Sequence, residues 1–151
     1  MFNNRFKMPI SGIWKTNKLC PDAVCILEGN ASSDFLRFIR KKVIDFAYNN
    51  TLNAEDTNSL IIAVGEAATN AMMYGDSKKP IRVKMEKISG FLRVTIKNSG
   101  KRFRPPSRSY ECMDFVSEHG RGIICMRALM DEVIIKSGFF GTKVKLIKRI
   151  G

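Results

Sequence analysis

The spacing of apolar residues along the chain predicts a strand followed by two helices. The strand covers residues 20–28, which include the apolar run Ala-Val-Cys-Ile-Leu and are closed by a Gly-Asn pair. From Ser32 or Ser33, either of which can cap a helix, apolar residues recur at helical spacing and basic residues fill the positions between them. A second, largely apolar helix begins near Asn53 and ends at Gly75.

The second half of the chain predicts a hairpin, a long loop and a third helix. Residues 81–86 and 91–97 alternate apolar and charged side chains around a Ser-Gly turn, which is typical of antiparallel strands with one solvated face. Residues 99–119 contain two prolines, four serines and no sustained period. Long loops in compact domains are usually either functional or disordered, and we interpret this segment as a lid. Gly120 then opens a helix.

Two final strands, at residues 132–137 and 142–149, complete the order β-α-α-β-β-loop-α-β-β. Helices gathered on one face of a mainly antiparallel sheet give an α+β fold, a two-layer α/β sandwich. The 151 residues fit one domain covering 1–151, with a core at 22–149.

The charge of the chain raises the possibility of an anionic partner. Lys and Arg number 26 against 14 Asp and Glu, which gives a net charge of +12. The excess is concentrated in residues 76–110, which carry +9, whereas residues 21–75 carry −3. A basic field attracts DNA, RNA, acidic proteins and nucleotides alike. Few aromatic residues lie near the basic loop for base stacking, so nucleic acid is disfavoured as a partner.

Other features narrow the class of protein. No apolar run approaches the roughly 20 residues that cross a bilayer, and the first residues lack the apolar stretch of a signal peptide, so we expect a cytoplasmic protein without a membrane partner. The four cysteines form no CxxC pair and the chain has one histidine, His119. A structural zinc site is therefore poorly supported.

The second helix carries the first candidate site. Glu66 and Asn70 are four residues apart and share one face of an otherwise apolar segment. One interpretation is a solvated helix edge. The other is a metal–phosphate site, because an Asn carbonyl oxygen suits Mg²⁺, which also binds phosphate oxygens, and a nearby carboxylate can deprotonate a hydroxyl.

Three further segments are ordinary turns when each is considered alone. Asn98-Ser-Gly100 lies where a strand ends and the lid begins, and Gly141-Thr142 begins the last strand. Gly120-Arg121-Gly122 lies at a predicted helix start, where free N–H groups can receive phosphate.

Together, and in this order, the four segments resemble the N, G1, G2 and G3 boxes of the GHKL ATPase superfamily. EAATNAMMYG, NSGKRFRPP, HGRGIICMRALMDEV and GTKVKLIK are most similar to its anti-sigma-factor serine kinase branch. The similarity extends over roughly residues 22–149. It implies the family fold, a sandwich with ATP bound under a lid, in agreement with the predicted order of elements.

The resemblance also implies roles for individual residues. Asn70 would coordinate Mg²⁺ at the ATP phosphates and Glu66 would act as general base. Gly120 and Gly122, with Arg121 between them, would let the lid and helix approach the phosphates. At the base, Thr142 would join the hydrogen bonds to adenine, and Gly100 is the retained glycine of its box.

Asn98 departs from the family pattern, which has an aspartate that accepts a hydrogen bond from the adenine amino group. We therefore keep two hypotheses. The first is an anti-sigma regulatory kinase that binds a sigma factor and phosphorylates a serine of a STAS-type antagonist. The second is a catalytically silent nucleotide-binding module, and a basic nucleic-acid binder is a weaker third. A homodimer is compatible with the resemblance, because this family commonly forms dimers.

Overall fold

The computed structural model describes residues 15–20, 24–100 and 118–151, and in these ranges it contains one sheet and three helices. The elements in chain order are β1 Lys15–Cys20, β2 Val24–Gly29, α1 Ser33–Asn49, α2 Ala54–Tyr74, β3 Ile81–Ile88, β4 Phe91–Asn98, α3 Glu118–Leu129, β5 Glu132–Gly138 and β6 Gly141–Arg149.

The sheet has six strands in the order β1-β2-β3-β4-β6-β5, and every neighbouring pair is antiparallel. Helices α1 and α2 contact the central strands, and α3 contacts both α2 and β5. The predicted α+β sandwich is therefore confirmed. None of the helices in these ranges is both long and apolar enough to cross a membrane.

The alternation of residues in β3 shows why the sheet has one covered face and one open face. Val83 and Met85 are fully buried against the helices, while Arg82 and Lys84, which alternate with them, point to the opposite side. Strands β4 and β6 repeat the pattern, with Val94 and Leu146 in the core. Burying each such side chain stabilises the fold by roughly 1.5–3 kcal/mol.

Helix ends lie where their capping residues predict. The side-chain oxygen of Ser32 accepts a hydrogen bond from the Phe35 N–H at 3.1 Å, which selects Ser32 over Ser33 as the cap of α1. Asn53 Oδ1 accepts from the Asp56 N–H at 2.8 Å at the start of α2. Gly75 follows the last residue of α2, as predicted.

The beginning of the sheet differs from the prediction. The single strand predicted at residues 20–28 is the strand β2, Val24–Gly29, and a separate strand, β1, precedes it and pairs with it. β1 has the sequence Lys-Thr-Asn-Lys-Leu-Cys, whose few apolar residues give no clear period of two. Most of the predicted lid, residues 101–117, lies outside the described residues.

Within the described residues, the open face carries an ion-pair cluster around Glu86. Glu86 lies 2.7 Å from Lys84 Nζ and 2.9 Å from Arg93 Nη2. Burial by itself raises the pKa of Glu86, but hydrogen bonds from Lys84 and Arg93 and their charges outweigh it and hold this pKa below its ordinary value. The carboxylate thus stabilises the fold above the ordinary glutamate pKa, and this contribution is lost as pH falls through the lowered value.

We expect Glu86→Gln to lower the free energy of unfolding at neutral pH by on the order of 1–2 kcal/mol, because the charged hydrogen bonds from Arg93 and Lys84 are weakened. The difference from the parent should shrink as the pH falls through the lowered pKa of Glu86. Urea denaturation at several pH values measures both effects, and Glu132→Gln, at an exposed residue of β5, is the control. A pH-independent difference would contradict the assignment.

Candidate functional site

Helix α2 places Glu66 and Asn70 one turn apart on the same face. Both are partly exposed, whereas Ala67, Ala68 and Ala71 around them are buried in the core. The helix runs without a break from Ala54 to Tyr74. The two polar side chains are therefore held at the border between the core and the solvent, in the relation that their spacing predicted.

Gly122 of α3 packs directly against this pair. A Cβ atom placed on Gly122 would lie 2.8 Å from Glu66 Oε2 and 3.5 Å from Asn70 Nδ2. A larger residue would therefore push the Glu66 carboxylate aside. The structure brings together Glu66, Asn70 and Gly122, which the sequence had predicted separately from two distant segments.

Gly120 and Arg121, which precede Gly122 in the Gly120-Arg121-Gly122 segment, lie in the first turn of α3. The helix begins at Glu118, so its predicted start at Gly120 was two residues late. The first four N–H groups of a helix, which here include those of Gly120 and Arg121, have no acceptor within the helix. Gly120 is buried and Arg121 is exposed. These N–H groups and the positive end of the helix form an environment suited to an anion.

A mostly apolar pocket lies beside Asn70, between α2, α3 and the sheet. A few polar side chains, those of Asn70, Asn98 and Thr142, come from both a helix and the strands, as in many small-molecule sites. The lining residues are Ala67, Asn70, Ala71, Tyr74, Ile96, Asn98, Ile123, Met126, Ile135, Thr142 and Val144.

Asn98 and Thr142 enter this pocket as a directly opposed pair on β4 and β6. Asn98 Nδ2 donates a long hydrogen bond, 3.5 Å, to the Ser99 carbonyl oxygen. This orientation leaves Oδ1 as the atom suited to accept a hydrogen bond from a ligand. Thr142 Oγ1 lies 2.9 Å from Ser137 Oγ, so Ser137 orients the threonine hydroxyl.

A close backbone contact fixes the position of Asn98. Gly75, after α2, and Gly100, after β4, form an isolated antiparallel bridge, and the Asp76 N–H donates to the Ser99 carbonyl oxygen at 2.6 Å. Gly100 has φ +154°, and a Cβ there would lie 3.0 Å from the Gly75 Cα. Gly100 is thus not part of the pocket lining. It lets the end of β4 approach the end of α2.

Two neighbours of the candidate site residues were not predicted from the sequence. Ser137 carries no motif, and only the strand register places it opposite Thr142. Cys125 follows the glycine motif by three residues and lies near Glu66. Burial, followed by the charge of Glu66, raises the pKa of the Cys125 thiol. Cys125 is therefore a protonated thiol at neutral pH, and no sequence pattern marks it.

The side chains available as metal ligands limit the kind of metal site that the chain can form. The described parts of the chain contain no group of three or more His, Cys, Asp or Glu side chains that could hold an ion. A protein-only cage is therefore not present in these parts. Asn70 turns its Nδ2 toward Gly122 and carries one hard side-chain oxygen, Oδ1. A single such oxygen fits Mg²⁺, because this ion usually takes few protein ligands and completes its shell with water and phosphate.

Residues 30–148, most of the chain, match the sequence model of the histidine kinase-like ATPase domain. The chain belongs to this family. Among its relatives are the serine-protein kinases RsbW of Staphylococcus epidermidis and Staphylococcus aureus, each 27% identical over 133 residues. The alignments cover 79% of this chain and 84% of the relatives.

Solved structures give the same fold for this histidine kinase-like ATPase domain. The crystal structure of the RsbU and RsbW domains of Rv1364c from Mycobacterium tuberculosis matches with a TM-score of 0.59 at 17% identity, over 82% of this chain. The chain spans about a third, 32%, of that longer protein. The histidine kinase domain of the Erythrobacter litoralis EL346 blue-light activated kinase matches with a TM-score of 0.51 at 18% identity, over 89% of this chain and 64% of the other.

The contact between Gly75 and Gly100 generates a testable prediction for this domain. In Gly75→Ala the new methyl group would overlap the Ala71 carbonyl oxygen and lie 2.9 Å from Asn98 Nδ2. We expect a loss of about 1–3 kcal/mol in the free energy of unfolding, the usual cost of overpacking. Urea denaturation measures it. Gly138→Ala is the matched control, because a Cβ there meets nothing within 4 Å. Equal stabilities of the two variants would contradict the role of Gly75.

Proposed function

We propose that this chain binds ATP with Mg²⁺ and acts as an anti-sigma regulatory serine/threonine kinase. It would bind a sigma factor and phosphorylate a serine of a STAS-type antagonist, so that partner exchange controls transcription. The observation that carries the proposal is the packing of Gly122 against Glu66 and Asn70. Family membership and the serine-protein kinase names of the staphylococcal relatives support it.

The proposed phosphate-binding residues lie at one end of the site and the proposed adenine-binding residues at the other. Asn70 would hold Mg²⁺ through its side-chain oxygen, and bound Mg-ATP supplies the phosphoryl group. The N–H groups of Gly120 and Arg121 would bind phosphate oxygens at the start of α3. At the other end, the apolar pocket would hold adenine, with Asn98 and Thr142 at its edge.

Glu66 would act as general base. Its carboxylate Oε2 faces Gly122, where an added Cβ would lie 2.8 Å away. Because glycine has no side chain, residue 122 does not stand between the Glu66 carboxylate and the proposed phosphate site at the start of α3. Oε2 would take the proton from the serine hydroxyl as the serine oxygen bonds to the γ-phosphorus of ATP and the bond from that phosphorus to the ADP oxygen breaks. A positioned base of this kind contributes about 10²–10⁴-fold to a rate.

Asn98 favours the second candidate function, a catalytically silent nucleotide-binding module that exchanges protein partners. A carboxylate can only accept a hydrogen bond, which suits the adenine amino group, whereas the Asn amide has both a donor and an acceptor. Selection of adenine would then be weaker. Phosphotransfer to a STAS-domain protein encoded in the same genome separates the two functions. Nucleotide binding without transfer would favour the silent module.

The remaining parts of the proposal concern cellular context. We place the protein in the cytoplasm, where a sigma factor acts, and keep a homodimer as its proposed assembly. Nucleic acid remains disfavoured as a partner. Size-exclusion chromatography with light scattering tests the dimer, and a monomer at all concentrations would remove that part of the proposal.

We expect Asn98→Asp to tighten ATP binding by on the order of tenfold and to widen the preference for ATP over GTP, because a hydrogen bond to a charged group is worth roughly 1.5–3 kcal/mol against about 1 for a neutral one. Calorimetry with both nucleotides and Mg²⁺ measures this. Unfolding is followed in parallel, because the variant loses the hydrogen bond from Nδ2 to Ser99.

Asn58→Asp, at an exposed position of α2, is the control for the added charge and should leave both affinities unchanged. If Asn98→Asp binds ATP no better than the parent, with unchanged stability, adenine is recognised elsewhere in the pocket.

We expect Asn70→Ala and Glu66→Gln to have different effects. Removal of the Asn70 oxygen should weaken Mg-ATP binding, whereas Glu66→Gln should spare binding and lower phosphotransfer by roughly 10²–10⁴-fold. Calorimetry and phosphate transfer from labelled ATP to the STAS-domain protein measure the two effects. Asn58→Ala and Glu132→Gln, both at exposed positions, are the matched controls. Equal losses of binding in both variants would show that the pair is structural.

A further inference from the structure

The open face of the sheet carries a line of cations at one end. The strand register places Arg82 opposite Lys97, Lys97 opposite Lys143, and Lys143 opposite Lys136. We call these four residues the basic row. They lie on four neighbouring strands, and because side chains alternate along a strand, Lys97 and Lys143 point away from the pocket that holds Asn98 and Thr142.

Little within the described residues neutralises the basic row. Glu28 binds Arg82 at 2.7 Å, and among the described residues lining the adjoining cleft it is the only acidic one. The charge of Lys143, followed by burial and the charges of Arg82 and Lys145, lowers the pKa of Lys97. Like charges directly opposite one another destabilise a sheet. An anionic ligand bound to the basic row would therefore reduce the repulsion between its side chains.

Two aromatic side chains stand next to the basic row. Phe139 and Phe140 form the turn between β5 and β6, and they are 88% and 93% exposed. Both line the same cleft as the basic row. Exposed aromatic residues beside a concave, charged surface are typical of interaction sites, because their burial by a partner removes a large apolar area from water.

We infer that the cleft formed by the basic row and Phe139-Phe140 docks an acidic segment of a partner protein that also carries an apolar side chain. The acidic side chains pair with Lys97, Lys143 and Lys136, and the apolar side chain packs on the two phenylalanines. This cleft adjoins the nucleotide pocket, because Asn98 and Thr142 line both. The docking inference uses only the basic row and the two phenylalanines, so it does not depend on the proposed kinase activity.

The arrangement of the side chains favours a protein segment over other anionic partners. Single-stranded nucleic acid needs aromatic platforms interleaved with the cations, but Phe139 and Phe140 lie at the turn, beyond the end of the row. A second copy of the chain, docked symmetrically on this face, would set one basic row against another.

Nitrogen-15 NMR of the full chain tests the inference. The probe is a capped peptide in which glutamates flank a central phenylalanine, titrated at low salt. We expect shift changes centred on residues 136–143 and on Lys97, and weaker binding as salt rises. Lys97→Glu with Lys143→Glu should weaken binding by roughly tenfold or more, because favourable pairs become repulsive.

Lys41→Glu makes the same kind of charge reversal at an exposed position of α1 and should leave peptide binding near that of the parent. Phe139→Ser with Phe140→Ser should weaken binding without changing its salt dependence, and this holds even if the lysine variant folds poorly. Mg-ATP affinity is measured on each variant, so a failure of the nucleotide proposal is recognised separately.

Three outcomes would overturn the inference. They are no peptide binding at low salt, an equal loss in Lys41→Glu, and tighter row-dependent binding of phosphatidylserine vesicles or a single-stranded oligonucleotide than of the peptide.

Discussion

The close packing of an alanine-rich helix on the sheet is the constraint on which the rest of the site depends. Ala67, Ala68 and Ala71 of α2 are buried at the centre of the domain, and α2 contacts both β4 and β6. Small side chains let the helix axis approach the sheet. Glu66 and Asn70 are interspersed with these alanines, so packing the helix also fixes the height and direction of both polar groups. The positions of both residues along the helix therefore depend on how the core beneath them packs.

Glycines extend this constraint to neighbouring elements. Gly122 brings α3 against Glu66 and Asn70, and the contact of Gly75 with Gly100 brings the end of β4 against the end of α2. Each glycine stands where a side chain would collide with an atom of the site or of its support. The apolar pocket lies between these two contacts, bounded by α2, α3, β4 and β6. The glycines thus set the distances between the elements that bound the pocket.

Local chemistry made much of the architecture predictable. Helix caps at Ser32 and Asn53 and the alternation in β3 and β4 act over a few residues, and the structure places them as their physical chemistry requires. The pair Glu66 and Asn70 was predictable for the same reason, because helical spacing alone puts them on one face. Strand β1 was missed because its sequence has no alternation, and it is defined by its pairing with β2.

The parts of the site that escaped prediction depend on long-range register. Ser137 orients Thr142 only because β5 and β6 pair in one particular register, and Cys125 approaches Glu66 only because α3 packs on α2. The chemistry of Glu66 and Asn70 gave a metal–phosphate site as one of two interpretations. The resemblance then gave these residues and Asn98 specific roles, which are proposals.

The open face of the sheet shows how the same register can create two different surfaces. At one end Glu86 lies between Lys84 and Arg93, and the charges are balanced within the sheet. At the other end the cross-strand neighbours of Lys97 are Arg82 and Lys143, and its charge is opposed rather than paired. Either arrangement of charges leaves the packing of the covered face unchanged, because side chains on the open face contribute little to the core. The basic row is therefore not required by the fold. An acidic partner bound to the basic row would offset the repulsion between its cations.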